Sequence, residues 1–223
     1  MTVERFALPE LGRPETLAQR AYAALRRAIR EGQLQQGSRY SENALGASMG
    51  ISRTPVREAL IELEREGIID IIPQKGFQLR VLSAAEQDEV FELRAALESL
   101  VVERLARRAS ADDVMQLRVI IQQQRGLASD PSGFLELDER FHLSMPMLLG
   151  MGRTHRMLAT LRGAMWLMGS AALRVHDRTS SIIDEHTAIV DAISGGDIAT
   201  AVSAVHHHLE TTAAAIRQHS SAG

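Results

Sequence analysis

The chain has 223 residues, 45% of them hydrophobic and 24% charged, which suits a soluble globular protein of one large or two small domains. It contains no cysteine, so disulfide frameworks and thiolate metal sites are excluded. No signal-peptide pattern and no apolar run of membrane-spanning length occurs, so a cytoplasmic protein without membrane contact is expected.

The net charge of −3 is unevenly spread. Residues 1–82 hold 12 Lys and Arg against 10 Asp and Glu, whereas residues 83–223 hold 13 against 18. Two halves with different work are expected. Residues 1–13, "MTVERFALPELGR", lack periodicity and are expected to form a mobile arm. Leu17, Ala21, Ala24, Leu25, Ala28 and Ile29 recur at helical spacing from Pro14 to Glu31, with Gly32 placed to stop the helix. "GQLQQGSRY" reads as a turn-rich connector. Ser41 can cap a short helix through Ala44, Leu45 and Met49, which Gly50 ends. Ser52 or Thr54 can then cap a helix whose first turn tolerates Pro55 and whose stripe is Val56, Ala59, Leu60 and Leu63. Arg53 and Arg57 share one flank of that stripe. After Gly67, "IIDII" and "GFQLRV" are two short strands joined by "PQKG".

Helix, helix, turn, helix, hairpin is the layout of a winged helix-turn-helix, here over residues 14–82. The two arginines fall at the start of its recognition helix, within reach of phosphates and base edges. Lys75 and Gly76 sit at the wing tip. A pair of helical arginines is more often a solvated face; the element order shifts the reading toward DNA.

From Ser83 the pattern is helical only, with expected spans 84–109, 111–128, 131–149, 153–176, 179–194 and 197–218. Ser110, "SDPSG", "HDRTS" and "SGGD" punctuate them. Short connections imply an antiparallel bundle over 83–219. Within it several ionisable residues fall on apolar stripes. Asp138 and His142 lie on or beside the line of Phe134, Leu137, Phe141, Met145 and Leu148. His186 lies between Ile182, Ile189, Val190 and Ile193. Of the run His206, His207, His208, only His208 joins Ala201, Val205 and Leu209.

Each buried ionisable group needs a partner. One Asp and three His facing one core can satisfy each other around a divalent cation, or each can be a hydrogen-bonded core residue. Arg94 lies among Val90, Leu97 and Val101, where it can meet an effector carboxylate, Glu98 or another internal acid. Glu185 is read as facing away. Trp166 points opposite to Met157, Leu161 and Met168, toward a dimer contact or a second packing surface; the methionines are expected mainly to fill core gaps.

"REGQLQQGSRYSENALGASMGISRTPVREALIELEREGIIDIIPQKGFQL" resembles the GntR-family winged-helix domain, and "LDERFH" with "EHTAIVDAISGGDIATAVSAVHHHL" resembles the FCD effector domain of the FadR-type subfamily. The resemblance implies a homodimeric transcription factor on a palindromic double-stranded DNA operator, usually a repressor. It implies DNA contacts by Arg53, Thr54, Arg57 and Gly76, to which Ser41, Asn43, Ser52 and Lys75 are added. Asn43 stands where the family often has a third arginine. The resemblance further implies metal ligation by Asp138, His142, His186 and His208, with a small carboxylate effector completing the coordination. The ion expected is zinc, with nickel or manganese as alternatives. "MPMLLGMGRTHRML" lacks the family's usual Asn-Pro step after the His142 position. The fold class expected is therefore mainly α, a winged helix-turn-helix followed by an all-α antiparallel bundle, and not an enzyme. The competing readings are a metal-free regulator binding an acyl ligand and a helical-bundle metalloenzyme.

Overall fold

A computed structural model describes residues 15–172 and 178–220. The arm expected over 1–13, the end of the helix expected over 153–176 and the first two residues of the "HDRTS" connector lie outside the described residues. Helix α1 (Leu17–Arg30) is followed by β1 (Arg39–Tyr40), α2 (Glu42–Met49), α3 (Arg53–Arg65), β2 (Ile69–Ile72) and β3 (Gly76–Leu79). Then come α4 (Ala84–Arg108), α5 (Ala111–Gly126), α6 (Pro131–Leu148), α7 (Gly152–Ala172), α8 (Arg178–Ser194) and α9 (Ile198–Ser220).

Local chemistry sets most boundaries. Thr16, Ser83 and Ser110 each form a capping box, with Gln19, Glu86 and Asp113 returning the bond. Asp130 caps α6 with Pro131 at its first turn, and Ser41 caps α2, which Gly50 ends in the left-handed region. Ser52 occupies the cap of α3 but makes no side-chain cap bond.

The connector after α1 departs from the expectation of plain turn. It contributes β1, which pairs antiparallel with β3, so the sheet order is β1-β3-β2. Two residues are too short to carry a period; the pairing to Phe77 and Gln78 makes the strand. This pairing also demands glycine at position 76. Its φ is +95°, and a Cβ there would lie 2.0 Å from the Tyr40 carbonyl oxygen.

Val56, Ala59, Leu60 and Leu63 pack with Leu25, Ile29, Ile69, Phe77 and Leu79 into one core. The bundle has its own, built from Val101, Leu105, Leu117, Phe134, Phe141, Met145, Ile189, Val190, Val205 and Leu209 among others. Helices α6 and α7 join the halves. Trp166 is buried in the first core, with the Arg26 guanidinium 3.8 Å over its ring, so the second of its two expected roles holds. Gly163 lets α7 close on Ile68, whose side chain would stand 3.2 Å from a Cβ. Arg26 reaches Glu139 at 2.5 and 2.7 Å, and Arg30 reaches Glu136 at 2.9 Å.

Of Met157, Leu161 and Met168 on α7, Met168 is buried, Leu161 is half-buried and Met157 is not buried. Leu158, Arg162 and Met165 are buried, while Met157 is exposed; Met147 on α6 is exposed too, so neither methionine fills the core. Among the described residues no helix is long and apolar enough to cross a membrane.

Candidate metal centre and nucleic-acid interface

Three helices bring one carboxylate and three imidazoles together. Asp138 and His142 stand one turn apart on α6, His186 on α8 and His208 on α9. All four are buried, and one ligand atom from each lies within 4.8 Å of the others. Asp138 Oδ1 is 3.5 Å from His186 Nε2 and 3.8 Å from His142 Nε2.

The second ring nitrogen of each histidine is spoken for. His142 Nδ1 lies 2.6 Å from Glu98 Oε2, His186 Nδ1 3.0 Å from Gln124 Oε1, and His208 Nδ1 2.7 Å from Glu185 Oε2. Each partner is an acceptor, so the network assigns the proton to Nδ1 and the lone pair to Nε2. His142 Nε2, His186 Nε2 and Asp138 Oδ1 are buried atoms with no hydrogen-bond partner among the described residues. Three orphaned acceptors converging on one point would be costly in a core, and a cation satisfies all of them. The donor set of three imidazoles and one carboxylate suits a borderline divalent ion such as zinc.

The electrostatics agree. Burial lowers the His142 imidazole to about 4, with Glu98 working against it, and lowers His186 well below the ordinary value, so both rings are neutral near neutral pH, the form a metal ligand needs. Burial alone would raise the Asp138 carboxyl; Arg162, which bonds Oδ2, and the neighbouring imidazoles outweigh that and hold it far below the usual range. Phe141 stacks on His186 with ring centroids 4.0 Å apart. His206 and His207 are exposed, as their turn away from the stripe predicts.

Arg94 is fully buried and gives Nε to Glu98 Oε1 at 2.8 Å, so of the partners weighed for it the internal acid is the one present. Its Nη2 has no partner among the described residues.

Four supporting residues escaped sequence reading. Glu185 does not face away: it bonds His208, Thr211 and both terminal nitrogens of Arg178. Helix α8 packs against both α5 and α9, so a residue off its main stripe still meets a helix. Burial raises the Glu185 carboxyl, but His208 and Arg178 bring it down to about 2. Gln124, Arg162 and Arg178 were missed as well; only Arg162 left a signal, one turn from the buried Leu158 and one turn from Trp166.

In the first half, a concave surface is lined by Ser41, Asn43, Arg53, Thr54, Arg57, Lys75 and Gly76, together with Glu42 and the wing turn Pro73–Gln74. Seven of the eight residues expected at DNA are thus brought together. Ser52 is exposed beside them but outside the lining. The wing turn closes through the Lys75 amide donating to the Ile72 carbonyl at 3.0 Å, with Gln74 at φ 63°. Arg53 and Arg57 are half exposed, and both bond the buried carboxylate of Glu42: Arg53 Nε to Oε2 at 2.6 Å, Arg57 Nη1 to Oε1 at 3.0 Å. Glu42, the first residue of α2, is the member of this surface that sequence reading passed over.

Comparison with known proteins gives both halves a counterpart. Residues 17–79 match the model for bacterial regulatory proteins of the gntR family, and residues 89–211 match the FCD domain. A Streptomyces ambofaciens protein described as an uncharacterized HTH-type transcriptional regulator in an unstable DNA locus is 36% identical over 191 residues, 84% of this chain and 80% of that protein. The HTH-type transcriptional repressor RspR of Escherichia coli K12 is 26% identical over 220 residues, 98% of this chain and 95% of its own length. Among solved structures, E. coli McbR/YncC superposes with a TM-score of 0.81 at 19% identity, covering 92% of this chain and 99% of the other. A putative GntR regulator from Rhodococcus sp. RHA1 gives 0.76 at 22% identity, covering 90% and 97%. These two likenesses concern the fold.

Proposed function

Because the chain belongs to the GntR family of bacterial regulatory proteins and carries an FCD domain, we propose that it is a homodimeric repressor of the FadR type, which releases or grips a palindromic operator in response to a small carboxylate. The family makes it a DNA-binding transcriptional regulator and not an enzyme. Work on the chromosome assigns it to the cytoplasm. The division we adopt runs between Leu82 and Ser83, giving a DNA-binding unit over 14–82 and an effector unit over 83–219.

One observation carries the sensing half of this reading: three imidazoles, each with Nδ1 engaged, share a closed core with Asp138, and His142 and His186 turn Nε2 toward its Oδ1. Asp138, His142, His186 and His208 would hold a divalent ion, zinc in the first instance and nickel or manganese otherwise, which when bound supplies a Lewis-acidic point for a carboxylate to dock. Arg94 Nη2, buried and uncommitted among the described residues, would take another oxygen of that carboxylate. On the DNA side, Arg53 and Arg57 read base edges or phosphates; Ser41, Asn43, Ser52, Thr54, Lys75 and Gly76 line the approach.

Helix α6 can carry the signal. One of its faces presents Asp138 and His142 to the core, and another presents Glu136 and Glu139 to Arg30 and Arg26 of α1. Helix α7 repeats the link, with Arg162 on Asp138 and Trp166 under Arg26. A ligand that favours one setting of α6 shifts the population of α1 positions, and with it the placement of the recognition helices.

A feature of α4 supports the dimer. Its outward face runs Glu89, Leu93, Ala96, Leu100, Arg104, with Leu93 and Leu100 exposed. Laid antiparallel on a second copy about a two-fold near Ala96, acid meets base and leucine meets leucine.

Elemental analysis of the purified protein, with duplex binding measured before and after chelation, tests the reading. The duplex is one enriched by this protein from a random pool. A divalent ion on each chain, and a carboxylate response that chelation abolishes, is the expected result. A metal-free protein that still responds to acyl ligands would replace the metal reading; a protein enriching no duplex would end the operator reading.

A further inference from the structure

Glu42 is an oddity on a surface meant for a polyanion. Its side chain is only 6% exposed, it opens α2, and it holds two cations at once, Arg53 Nε at 2.6 Å and Arg57 Nη1 at 3.0 and 3.3 Å. The guanidiniums lie on its solvent side, half exposed, so the carboxylate is sealed beneath them. A buried carboxylate needs such partners, and the N-terminus of α2 adds its positive end. Both arginines are thereby fixed through the same anchor, although their Cα atoms are a helical turn apart.

We propose that Glu42 is a positioning residue that sets the specificity of DNA binding, aiming both arginines while cancelling part of their charge. The inference rests on the reading of Arg53 and Arg57 as DNA contacts. Two physical consequences follow from the geometry. First, Arg53 commits Nε and Arg57 commits one Nη, which among the described residues leaves the Nη pair of Arg53 and the Nη2 of Arg57 for acceptors on the duplex. A guanidinium held by a carboxylate samples fewer rotamers, so less freedom is lost when it meets a guanine edge. Second, two cations and one anion carry a net single charge. Sequence-independent affinity is counted in phosphates neutralised, so the carboxylate lowers binding to random DNA. Alignment with base edges is kept while the non-specific background is reduced, and the ratio of the two is what a regulator needs among many competing sites.

The test uses the full-length protein, a duplex it enriches from a random-sequence pool, and a scrambled duplex of equal length, titrated at several salt concentrations. For Glu42→Gln, the scrambled duplex is expected to bind more tightly, with its log–log salt slope steeper by about 0.9, one added phosphate contact. The ratio of specific to non-specific affinity is expected to fall about tenfold. A merely structural role would lower both affinities together and leave the slope alone. Glu42→Asp keeps the charge but withdraws it by a methylene; it should leave the scrambled slope at the wild-type value and still lower the ratio, and it serves if the Gln variant does not fold. A folded Gln or Asp variant with wild-type ratio overturns the proposal while the DNA role of the arginines stands. A wild type that enriches no duplex overturns that role, and the Glu42 proposal with it.

Discussion

His186 sits where four kinds of contact meet: Gln124 at Nδ1, Asp138 toward Nε2, Phe141 stacked on its face, and the rings of His142 and His208 within about one ring's width. His186→Ala should therefore lower metal content and cost the bundle roughly 2–4 kcal/mol, as removal of a large buried side chain does. His206→Ala, whose ring is exposed and bonded to Ser99, should change neither. Elemental analysis and thermal unfolding of the two variants side by side check this.

The same rings give a pH dependence. Burial holds His142 at about 4 in the folded chain against an ordinary 6.5, and His186 is lowered too. Between those values the unfolded chain binds more protons than the folded one, so stability rises with pH in this window. Chelator-treated protein should be fully stable above about pH 6.5 and lose stability steadily as pH falls toward 4, with no such loss between about pH 7 and 8. A melting temperature flat from pH 7 to 5 would contradict neutral buried imidazoles. At the DNA surface, Arg57→Ala should cost about 1–3 kcal/mol of operator binding, read by gel-shift titration, with a smaller loss on scrambled DNA.

At the scale of elements, α4 works on two sides. Its inner face carries Arg94, Glu98, Val101 and Leu105 into the bundle, and Glu98 orients His142 from there. Its outer face is the exposed strip of Leu93, Ala96 and Leu100 between Glu89 and Arg104, which the proposed dimer would pair antiparallel with its copy. Leu100→Arg places a cation within that strip. It should convert a dimer to monomers in sedimentation and weaken operator binding, because two half-sites are no longer held together. Met115→Arg, on the exposed face of α5, should leave the dimer intact. Helix α6 also divides its labour, with Asp138 and His142 turned inward and Glu136 and Glu139 turned to α1. Its sequence "ELDERFH" interleaves the two sets so closely that they read as one polar stretch.

For the whole molecule, the junction between halves is polar and aromatic. Arg26 bonds Glu139 while lying over Trp166, and Tyr22 bonds Glu66 beside them. Glu139→Gln removes the charge on α6 without touching Asp138 or His142. It should leave metal content unchanged and diminish the effect of a carboxylate on operator affinity, since one of the contacts tying α6 to α1 is weakened. Paired measurements of metal content and operator affinity, with and without ligand, check it; an undiminished response would assign the coupling elsewhere.

What could be read from the chain alone was what is local. Caps at Ser41, Ser110 and within "SDPSG", stops at Gly32 and Gly50, and stripes of period 3.6 depend on residues within about a turn of each other, and they foretold the helices of both halves to within a few residues. The inward faces of Asp138, His142, His186 and His208 followed from the same periods. Tertiary structure alone decided what lies far apart in sequence. Gln124 meets His186 across 62 residues and Arg26 meets Glu139 across 113. Two-residue β1 exists because β3 lies beside it, Glu185 is partnered because α8 has neighbours on two sides, and Trp166 faces the first core because α7 is shared. A helix's period names its flanks, but only packing determines which flank meets a neighbour, and burial of polar groups is settled by that meeting.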